Sequence, residues 1–354
     1  KAHEEMSQEI IFTNKIAHDI DTFFDGHNYD KLFILADENT ARLCFPIIAN
    51  GTTFNKAIPI TIKPGDIDKS IEATTHVWQM LSENGATRNS CLINIGGGMV
   101  TDLGGFAAST FKRGIDFVNI PTTLLAQVDA SAGGKTGINF NGLKNEIGVF
   151  NEAKMVFIDT YFLKSLDREN LYSGYAEMIK HSLISNKKMW AQHIILNFES
   201  HNHETFRKMI EESIKVKEYI VNKDPKETGI RKALNFGHTA GHAFESLAMK
   251  KRKPILHGYA VAYGIICELY LSVAILEFPI EKLRQTACFI RDHYGRMDIT
   301  CDDYNEMIRF MTHDKKNSNG FINFTLLKDI GIIRINQTAE EELIKEAFDF
   351  YRES

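Results

Sequence analysis

The stretch INIGGGMVTDLGGF, residues 93–106, runs an apolar segment into three glycines and then into a stretch of helical period. Ile93 and Ile95 read as a buried strand. Gly96, Gly97 and Gly98 have no Cβ atoms, so the backbone there can approach a ligand closely. The helix that follows would offer its N-terminal amides to an anion such as a pyrophosphate. The dinucleotide fingerprint G-x-G-x-x-G is met at Gly96 and Gly98, but Thr101 occupies its last position. Taken alone, the motif divides evenly between dinucleotide binding and a tight structural turn.

On either side lie other short apolar runs: KLFILAD (31–37), AIPITI (57–62), CLINIGGG (91–98), DFVNIPTT (116–123) and KMVFID (154–159). Each reads as a strand, most of them buried. Residues 66–85 between the second and third read as a helix closed by Gly85. Strands alternating with helices predict a mostly parallel sheet with covered faces. Beyond about Asp159 helical periodicity takes over, at 168–184, 187–199, 203–222, 233–249, 257–276, 281–294 and 301–312. A hairpin-like segment (321–335) and a last amphipathic helix (338–352) follow. The expectation is an α/β nucleotide-binding domain over 1–159, a mainly α-helical domain over 160–354, and an active site in the cleft between them.

Composition narrows the class. The 354 residues are 44% hydrophobic and 25% charged, with a formal charge of -5, so nothing attracts nucleic acid or an anionic membrane in general. No apolar run is read as long enough to span a bilayer, and the opening KAHEEMSQEI lacks the apolar core of a signal peptide. Five scattered cysteines without a CxxC pair read as reduced thiols in a cytoplasmic protein.

Four segments carry chemistry. PTTLLAQVDASAGGKTGINFNGLKN (121–145) sets Thr122, Thr123, Asp129, Lys135, Lys144 and Asn145 among glycines, in a stretch too irregular for one long helix. Its small residues lack the charge mixture of an ordinary surface loop. SGYAEMIKHSLI (173–184) places Glu177 and Lys180 on one face of an apolar helix, where a carboxylate needs a metal or a cation. HTAGHAFE puts His238 and His242 one turn apart, and His257 opens another apolar helix. One carboxylate with two histidines is a zinc set that leaves a coordination position open. Lys217, Arg231, Lys315 and Lys316 add cations suited to a small anionic substrate. Asp37, closing its strand, suits either ribose hydroxyls or a turn or cap.

The segments GGGMVTDLGGF, RGIDFVNIPTTLLAQVDASAGGKTGIN, LKNEIGVF, YAEMIKHSLI, DPKETGIRKALNFGHTAGHAFE, HGYAVAYG and DKKNSNG occur in this order. Together they resemble the 3-dehydroquinate synthase family, over about residues 31–335. The resemblance implies an NAD-dependent, zinc- or cobalt-containing enzyme, a homodimer, acting on 3-deoxy-D-arabino-heptulosonate 7-phosphate. It implies transient oxidation of the C5 hydroxyl, elimination of phosphate, return of the hydride, ring opening and aldol closure to 3-dehydroquinate, a step of the shikimate pathway.

Carried over by motif, Glu177, His238 and His257 are the implied metal ligands. Arg113, Lys135, Asn145, His242 and Lys315 or Lys316 are implied at the phosphate, and Lys217, Arg231 and Asn235 at the carboxylate. Asp129 is implied at the reacting hydroxyls, and Lys180 stands in the same catalytic group. Gly97, Gly98, Asp102, Thr122, Thr123, Lys144 and Ser165 are implied at NAD, with Asp37 on its adenosine ribose and Asp66 and Lys69 at its adenosine end. Departures from the family pattern fall on the cofactor side: Asp66 where Glu is frequent, Thr101 for a glycine, Ser165 for Thr, and no proline after Leu166. Rival readings are another sugar-phosphate cyclase and a metal-dependent polyol dehydrogenase. Arg231 and Asn235 favour a substrate that bears a carboxylate.

Overall fold

A computed structural model describes residues 8–141, 143–313 and 322–353, and divides the chain into two compact units, Lys1–Asp167 and Arg168–Ser354. The first contains β1 (Glu9–Phe12), α1 (Ile16–Asp25), β2 (Leu32–Asp37), α2 (Glu38–Leu43), α3 (Phe45–Ile48), β3 (Ile58–Ile62), α4 (Ile71–Glu83), β4 (Cys91–Gly96) and α5 (Gly98–Thr110). It continues with β5 (Asp116–Pro121), β6 (Lys135–Phe140), β7 (Leu143–Phe150) and β8 (Met155–Ile158).

Six of these strands form one sheet in the order β1-β8-β5-β4-β2-β3, every neighbouring pair parallel. All six residues of β4 are buried, as a strand covered on both faces requires. From β2 the chain steps outward to β3, then returns past β2 to β4. The strand order therefore reverses between β2 and β4, and ligands of open parallel sheets bind at such a reversal, beyond the carboxyl ends of the strands. Asp37 and the glycine turn at 96–98 close the two strands that flank it.

Several elements of this unit escape the sequence reading, the short helices α1, α2 and α3 among them. Strand β1 adds to the sheet edge beside β8. The segment after Thr123 forms one π-helical turn (Ala126–Ala130) and then the β6–β7 hairpin, in which Gly137 faces Gly148. Its glycines hid the strands, because glycine has little strand preference and its spacing here breaks the alternation of side chains.

The second unit contains α6 (Arg168–Ser185), α7 (Lys187–His193), α8 (His203–Lys223), α9 (His238–Lys250), α10 (His257–Leu276), α11 (Ile280–Tyr294) and α12 (Cys301–His313). The β9–β10 hairpin (Asn323–Asp329, Ile332–Thr338) and α13 (Glu341–Glu353) complete it. Helix α10 packs against α6, α9, α11, α13 and β9. Its 20 residues are long and apolar enough to cross a bilayer by length and composition, which corrects the reading that no run is. The cause is its central position: 67% of the apolar window is buried inside the protein, and a helix covered on all sides is apolar on all sides.

A second correction concerns 233–249, read as one helix. A 3-10 turn (Ile230–Asn235) comes first, Gly237 takes a left-handed φ of 78°, and α9 begins afresh at His238. A side chain at 237 would be strained by that φ, and its Cβ would lie 2.6 Å from Ile265 Cγ1.

Candidate active site

In the first unit the glycine turn is built by close approach. A Cβ on Gly97 would stand 3.0 Å from Thr123 Cγ2, and one on Gly98 3.0 Å from Ala130 Cβ. The Thr122 N–H donates to the Gly96 carbonyl at 3.0 Å. Thr101 is buried and bonds back to the Gly98 carbonyl, 3.2 Å away. The tight helix-to-sheet contact expected of the fingerprint's last glycine is made at Gly104 instead, where a Cβ would lie 2.0 Å from Asn94 Oδ1. The departure at Thr101 is thus compensated one turn along α5.

Beside this turn a polar cluster forms. The buried Lys69 ammonium donates to Asp102 Oδ2 at 2.6 Å and to Asn145 Oδ1 at 2.5 Å. Asn145 has a positive φ of 51°, a conformation that Asn tolerates better than most residues. Its N–H donates to Asn139 Oδ1 at 3.0 Å. Asn139 in turn donates its own N–H to the Lys69 carbonyl at 2.8 Å and its Nδ2 to the Asp66 carbonyl at 2.9 Å. Lys144 pairs with Asp66, Nζ to Oδ2 3.1 Å. Asn139 stitches the hairpin to the 66–69 turn, a role the sequence reading missed. The signal was present in NFNG, a turn sequence flanked by apolar residues.

The other first-unit candidates are spread over several elements. Asp37 caps α2, its Oδ1 accepting from Asn39 N and Thr40 N at 2.8 and 2.9 Å. Asp129 lies in the π turn, Lys135 opens β6 on the surface, and the Ser165 hydroxyl donates to the Phe162 carbonyl at 3.2 Å. Arg113 is exposed at a left-handed turn (φ 69°) past the far end of α5, in a hollow lined by Ala86, Thr87, Arg88, Asn89 and Lys112. A 13-residue helix is about 20 Å long, so Arg113 and the glycine turn occupy opposite ends of α5.

In the second unit the ligand candidates converge. Glu177 is fully buried on α6, and His238 Nε2 and His257 Nε2 lie 3.4 and 3.6 Å from its Oε1. Both rings are oriented from behind. The Nδ1 of His238 donates to the Phe236 carbonyl at 3.1 Å, and that of His257 donates to Glu245 Oε2 at 3.4 Å. Each imidazole thereby turns its Nε2 toward the carboxylate, an arrangement suited to first-row divalent metals once both rings are neutral. One donor atom from each of the three residues lies within 4.8 Å of the others.

The charges divide the two histidines, and His257 must give up a proton when a metal binds. Burial works against ionisation of Glu177, but Lys180, on its Oε2, and His238 hold the carboxyl well below its usual range. Burial and Lys180 push His238 down to about 3, so its ring is neutral, as a ligand must be. Burial would lower His257 as well, yet the bonds to Glu177 and Glu245 raise it to about 10.

The ring of His242 lies 5.6 Å from that of His238 and 6.0 Å from that of His257. His242, Glu245 and His257 make a second set of possible ligands. The Glu177 set is the better fit, because Glu245 already serves the Nδ1 side of His257. The cations Lys217 and Arg231 are both buried, on α8 and in the 3-10 turn packed against α8. Arg231 donates to the Pro225 carbonyl at 2.6 Å, and Asn235 Nδ2 donates to Glu227 Oε1 at 2.8 Å. Lys315 and Lys316 lie outside the described residues.

Comparison with known proteins gives the family. The chain matches the family models for the 3-dehydroquinate synthase N-terminal region over residues 59–173 and C-terminal region over residues 174–317. It is 52% identical, over 98% of both chains, to the 3-dehydroquinate synthase of Parabacteroides distasonis. Among solved structures, 2-epi-5-epi-valiolone synthase from Streptomyces hygroscopicus with NAD+ and Zn2+ bound superposes with a TM-score of 0.84 at 21% identity, covering 100% of this chain and 99% of that one. A 2-deoxy-scyllo-inosose synthase complexed with carbaglucose-6-phosphate, NAD+ and Co2+ gives 0.83 at 20% identity, with coverage of 96% and 95%. At such identities the two structures establish the fold, and the sequence matches establish the family. The chain belongs to the 3-dehydroquinate synthase family of enzymes.

Proposed function

We propose that this enzyme converts 3-deoxy-D-arabino-heptulosonate 7-phosphate to 3-dehydroquinate and phosphate, with NAD at the first unit and zinc or cobalt at Glu177, His238 and His257. The observation that carries the proposal is the buried carboxylate facing two imidazoles whose far nitrogens are already bonded. When bound, NAD supplies a reversible hydride acceptor and the metal a Lewis acid for the hydroxyl being oxidised.

The chain's own residues supply the rest. Gly97 and Gly98 open the amides of α5 to the pyrophosphate, and Lys69, Asp102, Thr122, Thr123 and Lys144 line the cofactor side. Lys217, Arg231 and Asn235 take the substrate's carboxylate. The burial of Lys217 and Arg231 makes each charge more effective than it would be in water and disfavours an analogue lacking the carboxylate. The family resemblance assigns the phosphate to His242, Lys135 and Asn145 with a lysine of the 315–316 pair; Arg113, exposed at the opposite end of α5 from the glycine turn, does not join Asn145 on one phosphate within one chain. Asn145 accepts from Lys69 through Oδ1, which orients its Nδ2 donor for an anion. Asp129 steadies the hydroxyls at the reacting carbons. Lys180 keeps Glu177 ionised. The family resemblance further supports a cytoplasmic homodimer that takes a small anionic sugar phosphate and neither nucleic acid nor membrane.

The test mixes purified protein with the heptulosonate phosphate, NAD at a small fraction of the substrate, and zinc. Phosphate release equal to the substrate, in excess over NAD and with no net NADH, is the expected result. A metal-loaded protein that releases no phosphate overturns the proposal.

A further inference from the structure

Glu268 is the one charged residue in the apolar core of α10 and is fully buried. It lies about three turns beyond His257, on the same helix face. Its Oε2 accepts the N–H of Gly237 at 2.6 Å, and its Oε1 accepts the N–H of Ala240 at 3.0 Å. These amides belong to the open first turn of α9, where no preceding turn supplies an acceptor. Gly237 brings no capping side chain of its own. A carboxylate from the neighbouring helix therefore does the work of an N-cap, and the positive end of α9 compensates its burial.

The two bonded amides bracket His238. Gly237 is a left-handed glycine, a position where the backbone swings easily, and Ala240 lies just inside the helix. Van der Waals contact alone brings the helices close here: a Cβ on Gly264 would lie 2.0 Å from the Gly237 carbonyl oxygen. Contact sets the distance between α9 and α10 but leaves rotation about Gly237 open, and the Glu268 bonds close it.

We propose that Glu268 is a positioning residue for the metal centre: from the helix that begins with His257, it fixes the first turn of α9 and so aims His238 at the same ion. The inference rests on the reading that Glu177, His238 and His257 hold the metal.

The test uses the full chain loaded with cobalt, whose ligand-field absorption reports ligand geometry, with affinity measured against a competing chelator. Glu268→Gln keeps the volume but sets an NH2 group against one of the two amides. The wild-type chain is expected to bind cobalt with a visible spectrum that Glu177→Ala abolishes. Glu268→Gln is expected to keep the helical circular dichroism, to bind cobalt 10–100-fold more weakly, and to show a shifted spectrum. Ser272→Ala serves as a structural control. It loses that hydroxyl's bonds to the Glu268 carbonyl and the Leu327 N–H, and should lower the melting temperature without moving the affinity. Should Glu268→Gln fail to fold, Glu268→Asp, whose carboxylate falls short of both amides, is read in the same way. A folded Glu268 variant with wild-type affinity and spectrum overturns the inference. A wild-type chain whose cobalt binding does not depend on Glu177 overturns the ligand assignment itself, and this inference falls with it.

Discussion

His193 carries a neutral ring into the core of the second unit. Its Nδ1 donates to the Met189 carbonyl at 2.7 Å and the ring stacks on Tyr175 at 5.7 Å. Burial lowers its pKa from 6.5 to about 4. Between those values the unfolded chain takes up a proton that the folded chain refuses, so stability is full above about pH 6.5 and drains as pH falls toward 4. From pH 7.5 to 5 this one ring should cost about 2 kcal/mol. Urea titrations at the two pH values check it: His193→Phe should lose markedly less stability than wild type over that interval, and an unchanged difference refutes the assignment. The histidines proposed as metal ligands were more legible than this one, because their type and spacing signal chemistry directly. The separate duties proposed for His238 and His242 were not legible from spacing, since one helix turn brings two rings together whatever they bind. Asp37 is a reminder of the reverse: its strand-end position reads equally as ribose ligand or cap, and the structure shows it capping. Glu268 carried a signal that went unread, a lone carboxylate inside an apolar run.

Among the elements, the crossing of α9 and α10 depends on atoms that are missing. Gly264→Ala would drive a methyl group into the Gly237 carbonyl and the Gly241 N–H, whose atoms lie 2.0 and 2.5 Å from the Cβ position. Backbone cannot yield as a flexible side chain can, so the helices must part. A loss of about 1–3 kcal/mol is expected in denaturant titrations, and zinc content should fall because His238 and His257 ride on the two helices. Wild-type zinc content in a folded variant contradicts this. In the first unit, Asn139→Ala removes the stitch between the hairpin and the 66–69 turn. It should raise the Kd for NAD about tenfold, at a stability cost near 1 kcal/mol, as fluorescence titration would show. An unchanged Kd would mean that the hairpin needs no such anchor. Long periodic helices were legible in the sequence because tertiary packing reinforced the same pattern. The hairpin was not, because its strands are held by glycine pairing and by side-chain bonds to residues some 70 positions away.

At the level of the whole molecule, the order of a parallel α/β unit followed by a helical one was readable, since alternation of strand and helix dictates the first and sustained helical period the second. The error lay in α10, whose interior position made it as apolar as a membrane segment. That same position ties it to the end of the chain. Phe348 and Tyr351 of α13 close over Phe244, with ring centroids 6.2 and 4.7 Å away, and Tyr351 packs on Tyr263 of α10 at 5.5 Å. A chain ending at residue 340 should scatter light and float with phosphatidylcholine vesicles, and a soluble truncated chain with wild-type helicity would refute this. During synthesis the consequence is one of timing. Helix α10 leaves the ribosome before α11, β9 and α13, three of the elements that cover it. At about 5–20 residues per second, the nascent chain carries a membrane-like segment for several seconds before its last cover emerges. Codon speed through residues 277–351 and the supply of holding chaperones therefore bear on the yield of this enzyme as directly as any contact in its finished core.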